Sequence, residues 1–195
     1  MNPRPVIVLT GGPGGGKSSL IEDLRRDPAW AQRFVALPET VHYAKFVNIP
    51  YTEKLFQRAM VYLQIGLEDA LNRALDANDP RAIICHRGTL DPLAFWQQRG
   101  WAVDEFFDFT RTTRAQHYNR YAAIIHLVTA ADGAPDAYTR FPASHRPEEA
   151  GEAIALDRWL NEAWRDHPRH FRIDNVEKNW ADKLRAAREI FAGLV

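Results

Sequence analysis

The chain of 195 residues has one cysteine, Cys85, which excludes an internal disulfide and any cysteine-rich metal site. Cys85 falls within the apolar run AIIC, the setting of a small buried hydrophobe. Net charge is lacking as well. The 25 Lys and Arg balance the 25 Asp and Glu, so no nucleic-acid partner is expected to be held through bulk charge. No apolar run approaches the length of a membrane span, and the first residues carry no signal-peptide pattern. A cytoplasmic protein that meets no membrane is the expectation. His42, His117, His126, His167 and His170 lack metal-ligand spacing, which leaves them structural or surface roles. There is no internal repeat and no low-complexity tail.

One stretch is rich where the rest is plain. Residues 11–18 read GGPGGGKS directly after PVIVLT. They fit G-x-x-x-x-G-K-[ST], with Gly11 and Gly16 at the fixed glycines, Lys17 next and Ser18 last. Glycines let successive backbone N–H groups turn inward around an anion, and a helix starting near Lys17 aims its positive dipole end at the same place. Lys17 would then reach the β- and γ-phosphates of a nucleotide, and the Ser18 hydroxyl would hold Mg²⁺. Gly12, Pro13, Gly14, Gly15 and Ser19 complete the predicted nucleotide-binding loop.

Apolar runs recur at 5–9, 34–37, 82–85, 122–128 and 170–173. They are continuous rather than alternating, as strands buried on both faces are. Helical spacing fills about 52–77, 89–98, 103–118, 147–166 and 177–192. Alternating strand and helix in a chain of this length predicts one α/β domain, 1–195, with a mainly parallel sheet. The stretch of about 130–147, AADGAPDAYTRFPASHRP, reads as a long irregular loop, and loops of that length within a domain tend to be functional.

Ligands of open parallel sheets bind at the carboxyl ends of the strands. That rule selects Glu39 after the second run, HRG (86–88) after the third, the long loop after the fourth, and Asp174 and Asn175 after the fifth. Glu39 is a candidate to accept a proton from an acceptor hydroxyl or to hold Mg²⁺ through water. Arg87 is a candidate to pair with phosphate oxygens during transfer. Arg140, His145 and Arg146 place cations on a loop able to close over a phosphoryl group.

These pieces together resemble a family: TGGPGGGKSSL, LPET, FQRAMVYLQIGLEDAL, RGTLDPLAFW, RPEEAGEAIALDRWLNEAW and IDN. The chain resembles the P-loop kinase-like ATPases of AAA type grouped around the ribosylnicotinamide kinase domain of the NAD regulator NadR. The resemblance spans nearly the whole chain. It implies a three-layer P-loop NTPase of nucleotide-kinase type, a five-stranded parallel sheet flanked by helices, with a lid at about 130–147. It also implies ATP or GTP with Mg²⁺, arginines of the lid (Arg140, Arg146) acting with Arg87, Glu39 on the acceptor side, and Asp174 and Asn175 near the base. Such proteins usually have DRG after the third strand, and here the acid is replaced by His86. Imidazole suits Mg²⁺ poorly, so either Glu39 or Asp91 takes over that part through water, or catalysis is weakened.

Two activities fit. One is transfer of the γ-phosphoryl of ATP to a hydroxyl of a small, nucleoside-like molecule, in an acceptor pocket at about His42–Tyr62, where Tyr43, Phe46, Tyr51, Phe56 and Tyr62 mix with polar groups. The other is a nucleotide-binding switch read by a partner.

Overall fold

The structure, a computed structural model, describes residues 4–44, 48–140, 148–176 and 179–194. Five strands, β1 (Val6–Thr10), β2 (Phe34–Leu37), β3 (Ala82–His86), β4 (Ala123–Leu127) and β5 (His170–Ile173), lie at the five apolar runs. The helices are α1 (Lys17–Arg26), α2 (Pro28–Ala31), α3 (Val41–Ala44), α4 (Lys54–Ala74), α5 (Asp91–Gln98), α6 (Val103–Thr110), α7 (Arg114–Tyr118), α8 (Pro135–Arg140), α9 (Ala150–Trp164) and α10 (Trp180–Ala192). The strands form one parallel sheet in the order β2-β3-β1-β4-β5. The chain leaves β1 toward one edge and later returns past it to the other, so the order reverses at β1. An open α/β sheet leaves a ligand crevice at such a reversal.

Both faces of the sheet are covered, which explains the continuous apolar runs. Ile7 and Leu9 of β1 pack with Leu20, Leu24 and Phe191 from α1 and α10. Val8, on the opposite face, packs with Val61, Leu93, Phe106 and Trp164 from α4, α5, α6 and α9. Cys85 is buried beside Leu37 and Ile83 as a small hydrophobe. From the Val8 face, Gln64 of α4 and Asp157 of α9 reach the carboxyl ends of β3 and β4. No helix among the described residues is long and apolar enough to cross a membrane.

Two expectations are corrected. The amphipathic stretch 103–118 is two helices, broken at Arg111, whose φ of 52° is left-handed. Thr113 restarts the chain with a capping box to Gln116, satisfying two end N–H groups that one continuous helix would not have needed to cap. The stretch 130–147 is not wholly irregular, because Pro135–Arg140 form a short helix. Pro135 at its first position has no N–H to lose there. Phe46 and residues 141–147, with His145 and Arg146, lie outside the described residues, as does the side chain of Arg140.

The break at Arg111 places His117 in the core. Its Nδ1 lies 2.8 Å from Thr89 Oγ1 and its Nε2 2.9 Å from Thr112 Oγ1. Burial, with Arg120 and Arg114 nearby, lowers its pKa to about 4. In the unfolded chain the imidazole takes up a proton near pH 6.5, whereas in the fold it stays neutral to about pH 4. Stability linked to His117 is therefore complete above pH 6.5 and is lost as pH falls below it. The slope approaches about 1.4 kcal/mol per pH unit near pH 5. Denaturant unfolding at pH 7 and pH 5 should show a smaller loss for His117→Asn than for the wild type; equal losses would contradict a neutral buried His117.

Candidate functional site

The glycine-rich loop joins β1 to α1 and lies on the end of β4. A Cβ on Gly11 would sit 2.0 Å from the Leu127 carbonyl oxygen, and one on Gly15 would sit 2.4 Å from it. Gly11 also has a φ of 122°, where side chains are strained. Glycine is thus required both for the turn and for the approach to β4. The loop is fastened from α9 by Asp157, which is almost fully buried. The Gly12 N–H donates to Asp157 Oδ1 at 2.6 Å and the Thr129 N–H at 3.1 Å, while His126 Nε2 lies 3.1 Å from Oδ2. The Thr129 hydroxyl donates to the Pro13 carbonyl, and Lys183 of α10 donates to the Val128 carbonyl at 2.9 Å.

Lys17 opens α1 and folds over the loop, its ammonium donating to the carbonyls of Gly11 at 2.7 Å and Gly12 at 2.9 Å. Burial and the charge of Arg87 pull its pKa down to about 7, against Glu39, Asp91 and Asp157, which hold it up. An anion beside Lys17 would restore its proton affinity. Ser18 and Ser19 are exposed at the start of the same helix.

On the β3 side stand His86, Arg87 and Glu39. Arg87 Nε donates to Glu39 Oε1 at 2.5 Å, and Nη1 lies 3.5 Å from Asp91 Oδ2. Burial raises the Glu39 pKa, but Arg87 and His86 more than offset this and lower it to about 2, so the carboxylate is ionised at neutral pH. His86 Nε2 lies 3.1 Å from Ser18 Oγ and Nδ1 lies 3.7 Å from Glu39 Oε2. Burial and the Lys17 charge lower the His86 pKa to about 3, leaving the ring neutral. With Nε2 accepting the Ser18 proton, Nδ1–H faces the carboxylate, the tautomer that suits both neighbours.

Arg87 reaches Glu39 from a left-handed backbone, φ 83°. That conformation costs on the order of 1–3 kcal/mol and persists only where the surroundings hold it. Gln64 of α4 does so: its Nε2 donates to the Arg87 carbonyl at 3.2 Å and to Glu68 at 2.8 Å, and its Oε1 accepts from the Thr40 hydroxyl. One amide thereby ties the end of β2 to the end of β3.

Glu39 and Arg87 also lie on a cavity of about 760 Å³, within the range of small-molecule sites. Tyr51, Phe56, Met60 and Phe95 give it apolar walls, and Arg99, Glu148 and Glu152 line it as well. Gln57 lines it from α4; it is 4% exposed and its side chain makes no hydrogen bond among the described residues.

The predicted residues divide into two groups. Lys17, Ser18, Glu39 and Arg87 converge. Asp91 is beside them but committed to the scaffold: its carboxylate accepts from Thr10 at 3.0 Å and from Trp164 Nε1 at 2.7 Å, and it is 1% exposed. Asn175 is likewise buried, its Nδ2 donating to the carbonyls of Thr129 at 2.8 Å and Asp132 at 2.6 Å. Asp174 lies 3.6 Å from Arg172. Of the expected pocket aromatics, Tyr51 and Phe56 line the cavity. Tyr43 is exposed, and the Tyr62 hydroxyl donates to the Thr110 carbonyl at 2.7 Å. Gln57, Gln64 and Asp157 were missed. Their signal was present as polar residues inside the apolar stripes of α4 and α9.

The donors fit a Mg²⁺ ion shared with a nucleotide. Such an ion takes oxygen ligands, keeps several waters and needs only one or two protein groups beside the phosphates. Ser18 offers an exposed hydroxyl, oriented by His86, and Glu39 a charged carboxylate. Among the described residues no cluster of three or more His, Cys, Asp or Glu forms a separate metal site.

The model of a protein family described as AAA domain matches residues 6–183. Among solved structures, deoxyadenosine kinase from M. mycoides with bound dATP superposes with a TM-score of 0.66 at 16% identity, covering 96% of this chain and 99% of that one. A structure of deoxyadenosine kinase from M. mycoides with products dCMP and a flexible dCDP bound gives 0.63 at 15% identity, with the same coverage. At these identities the likeness is one of fold, and the fold is that of a P-loop nucleotide kinase. No curated protein matches the sequence.

Asp157 generates a test of the loop's fastening. Asp157→Ala leaves two buried N–H groups and His126 without their acceptor, at about 1–3 kcal/mol each. Chemical denaturation should show a loss of about 3 kcal/mol or more, whereas Asp157→Asn, which keeps one acceptor and offers His126 a donor, should lose much less. A loss below about 1 kcal/mol for the alanine variant would remove Asp157 from this role.

Proposed function

The chain belongs to the AAA domain family, and from that premise we propose that it is a phosphotransferase that moves the γ-phosphoryl of ATP or GTP to a hydroxyl of a small nucleoside-like molecule. One observation carries this reading: Glu39 and Arg87 are at once the floor of the cavity and the neighbours of the phosphate loop, reaching His86, Ser18 and Lys17. A site for hydrolysis alone would have no need of a preformed cavity with apolar walls beside the phosphate loop.

The residues divide the task in the way phosphoryl transfer requires, by positioning and by neutralising charge. The loop N–H groups and Lys17 hold the β- and γ-phosphates. Mg²⁺, when bound through Ser18 and through water by Glu39, would neutralise further phosphate charge. The acceptor hydroxyl lies in the cavity against Glu39, which orients it and takes its proton as the oxygen forms its bond to the γ-phosphorus. The bond from that phosphorus to the bridging oxygen breaks, and the nucleoside diphosphate leaves with the electron pair. Glu39 keeps its charge at any pH well above about 2, so it serves as an orienting acceptor more than as a strong base. The Arg87 guanidinium, planar and always charged, faces the oxygens in flight. Arg140 and Arg146 are proposed to close over them from the lid. Gln57 would offer donor and acceptor together to the edge of a planar group, with Phe56 and Phe95 against its faces. The motif resemblance to the ribosylnicotinamide kinase domain points likewise to a ribosylated ring as acceptor.

A nucleotide switch is the second reading, favoured by His86, which stands where the proteins this chain resembles usually carry an acid. Turnover separates the two. ATP consumption should rise sharply with one member of a nucleoside panel and yield its phosphate ester; slow hydrolysis indifferent to every acceptor would favour the switch. Lys17→Ala should weaken ATP binding at least tenfold by calorimetry, the loss of about 1.5–3 kcal/mol expected for a charged hydrogen bond. Glu39→Gln should leave that affinity within a few-fold and cut acceptor-dependent turnover by about a hundredfold or more. Wild-type turnover in the glutamine variant would remove Glu39 from the chemistry.

A further inference from the structure

If the phosphate loop holds a nucleoside triphosphate as proposed above, the side on which its base lies follows from the sheet. The transferred phosphoryl has to face Glu39 and Arg87, which lie on the β2 and β3 side of β1. The rest of the donor must leave the loop the other way, across the carboxyl ends of β4 and β5 and toward the first turn of α10. Among the described residues, Trp180, the first residue of α10, is a large aromatic on that side.

The indole is fixed in place. A Cβ added to Gly16, the last glycine of the loop, would lie 2.5 Å from the Trp180 ring, so the ring rests directly on the loop's exit into α1. Its Nε1 donates to Asp23 Oδ2 at 3.1 Å, which sets the ring's orientation from α1. Even so, Trp180 is 38% exposed, and Val176 beside it in sequence is 66% exposed. A tethered aromatic with open surface next to a phosphate-binding loop suits a planar base. The two polar side chains that follow β5 are engaged elsewhere. Asn175 spends its amide on the carbonyls of Thr129 and Asp132 and accepts from Lys183 at 2.8 Å, and Asp174 faces Arg172.

We propose that Trp180 is the platform on which the donor nucleotide's base stacks, and that this site accepts adenine and guanine alike because it grips the base by its face. Every base has a π-face, so stacking of this kind tolerates a change of base. Hydrogen-bond readout of one base edge would instead discriminate by several hundredfold or more.

Calorimetry of the wild type, Trp180→Ala and Trp180→Phe against MgATP, MgGTP and inorganic tripolyphosphate tests this. The wild type should bind ATP and GTP within about tenfold of each other. Trp180→Ala should bind both about tenfold weaker while holding tripolyphosphate as the wild type does, since the lost contact is to the base alone. Trp180→Phe should recover most of the loss. Equal weakening toward all three ligands in the alanine variant would make Trp180 a structural support of the loop and overturn the proposal. Unchanged ATP affinity, or loss for one base alone, would overturn it as well. A wild-type protein that binds neither ATP nor tripolyphosphate would instead overturn the phosphate-loop reading on which the proposal rests.

Discussion

The ion pair of Glu39 with Arg87 is the contact around which the crevice is organised. Both partners are largely buried at the ends of adjacent strands, and removing Arg87 would leave the Glu39 carboxylate without its ion-pair cation, a cost of about 3–5 kcal/mol in comparable settings. The pair brings Arg87 back over β3 through a left-handed residue, holds Glu39 ionised, and sets the floor that the phosphate loop and the cavity share. Gln64 holds the backbone beneath it, and Phe95 lies under the guanidinium at 5.6 Å.

Three acids around the crevice are buried to different ends, and their partners explain the difference. Asp91 is filled by Thr10 and Trp164 and locks α5 and α9 to β1. Asp157 is filled by Gly12, Thr129 and His126 and locks the loop to α9. Glu39 faces the cavity with its Oε2 bound to no hydrogen-bond donor among the described residues, His86 lying 3.7 Å away. Two acids are thereby spent on rigidity so that the third keeps an oxygen for a ligand. His86, neutral through burial, fits the same division by bridging Ser18 toward Glu39 instead of competing for a cation.

The sheet was legible in the sequence because its strands are buried on both faces and so read as unbroken apolar runs, each within a residue or two of its strand. The phosphate loop was legible because its glycines answer a steric demand, the approach to Leu127, that no other residue meets. What lay hidden depends on which helix face meets which strand end. Gln57, Gln64 and Glu68 read as ordinary polar residues of a long amphipathic helix until α4 turns that stripe inward. Asp91 and Asn175 stood at the right strand ends, yet only their partners show that their polar atoms are spent on the scaffold. The split at Arg111 depends on one left-handed residue, and periodicity passes over it.

The junction of loop and cavity can be tested with one molecule. It is a bisubstrate in which the γ-phosphate of ATP is esterified to the hydroxyl of whichever nucleoside stimulates turnover. Occupying both halves at once makes the second contact intramolecular, so calorimetry should find it bound at least about a hundredfold more tightly than ATP. An affinity no greater than that of ATP alone would mean that the phosphate loop and the cavity above Glu39 and Arg87 do not serve one reaction.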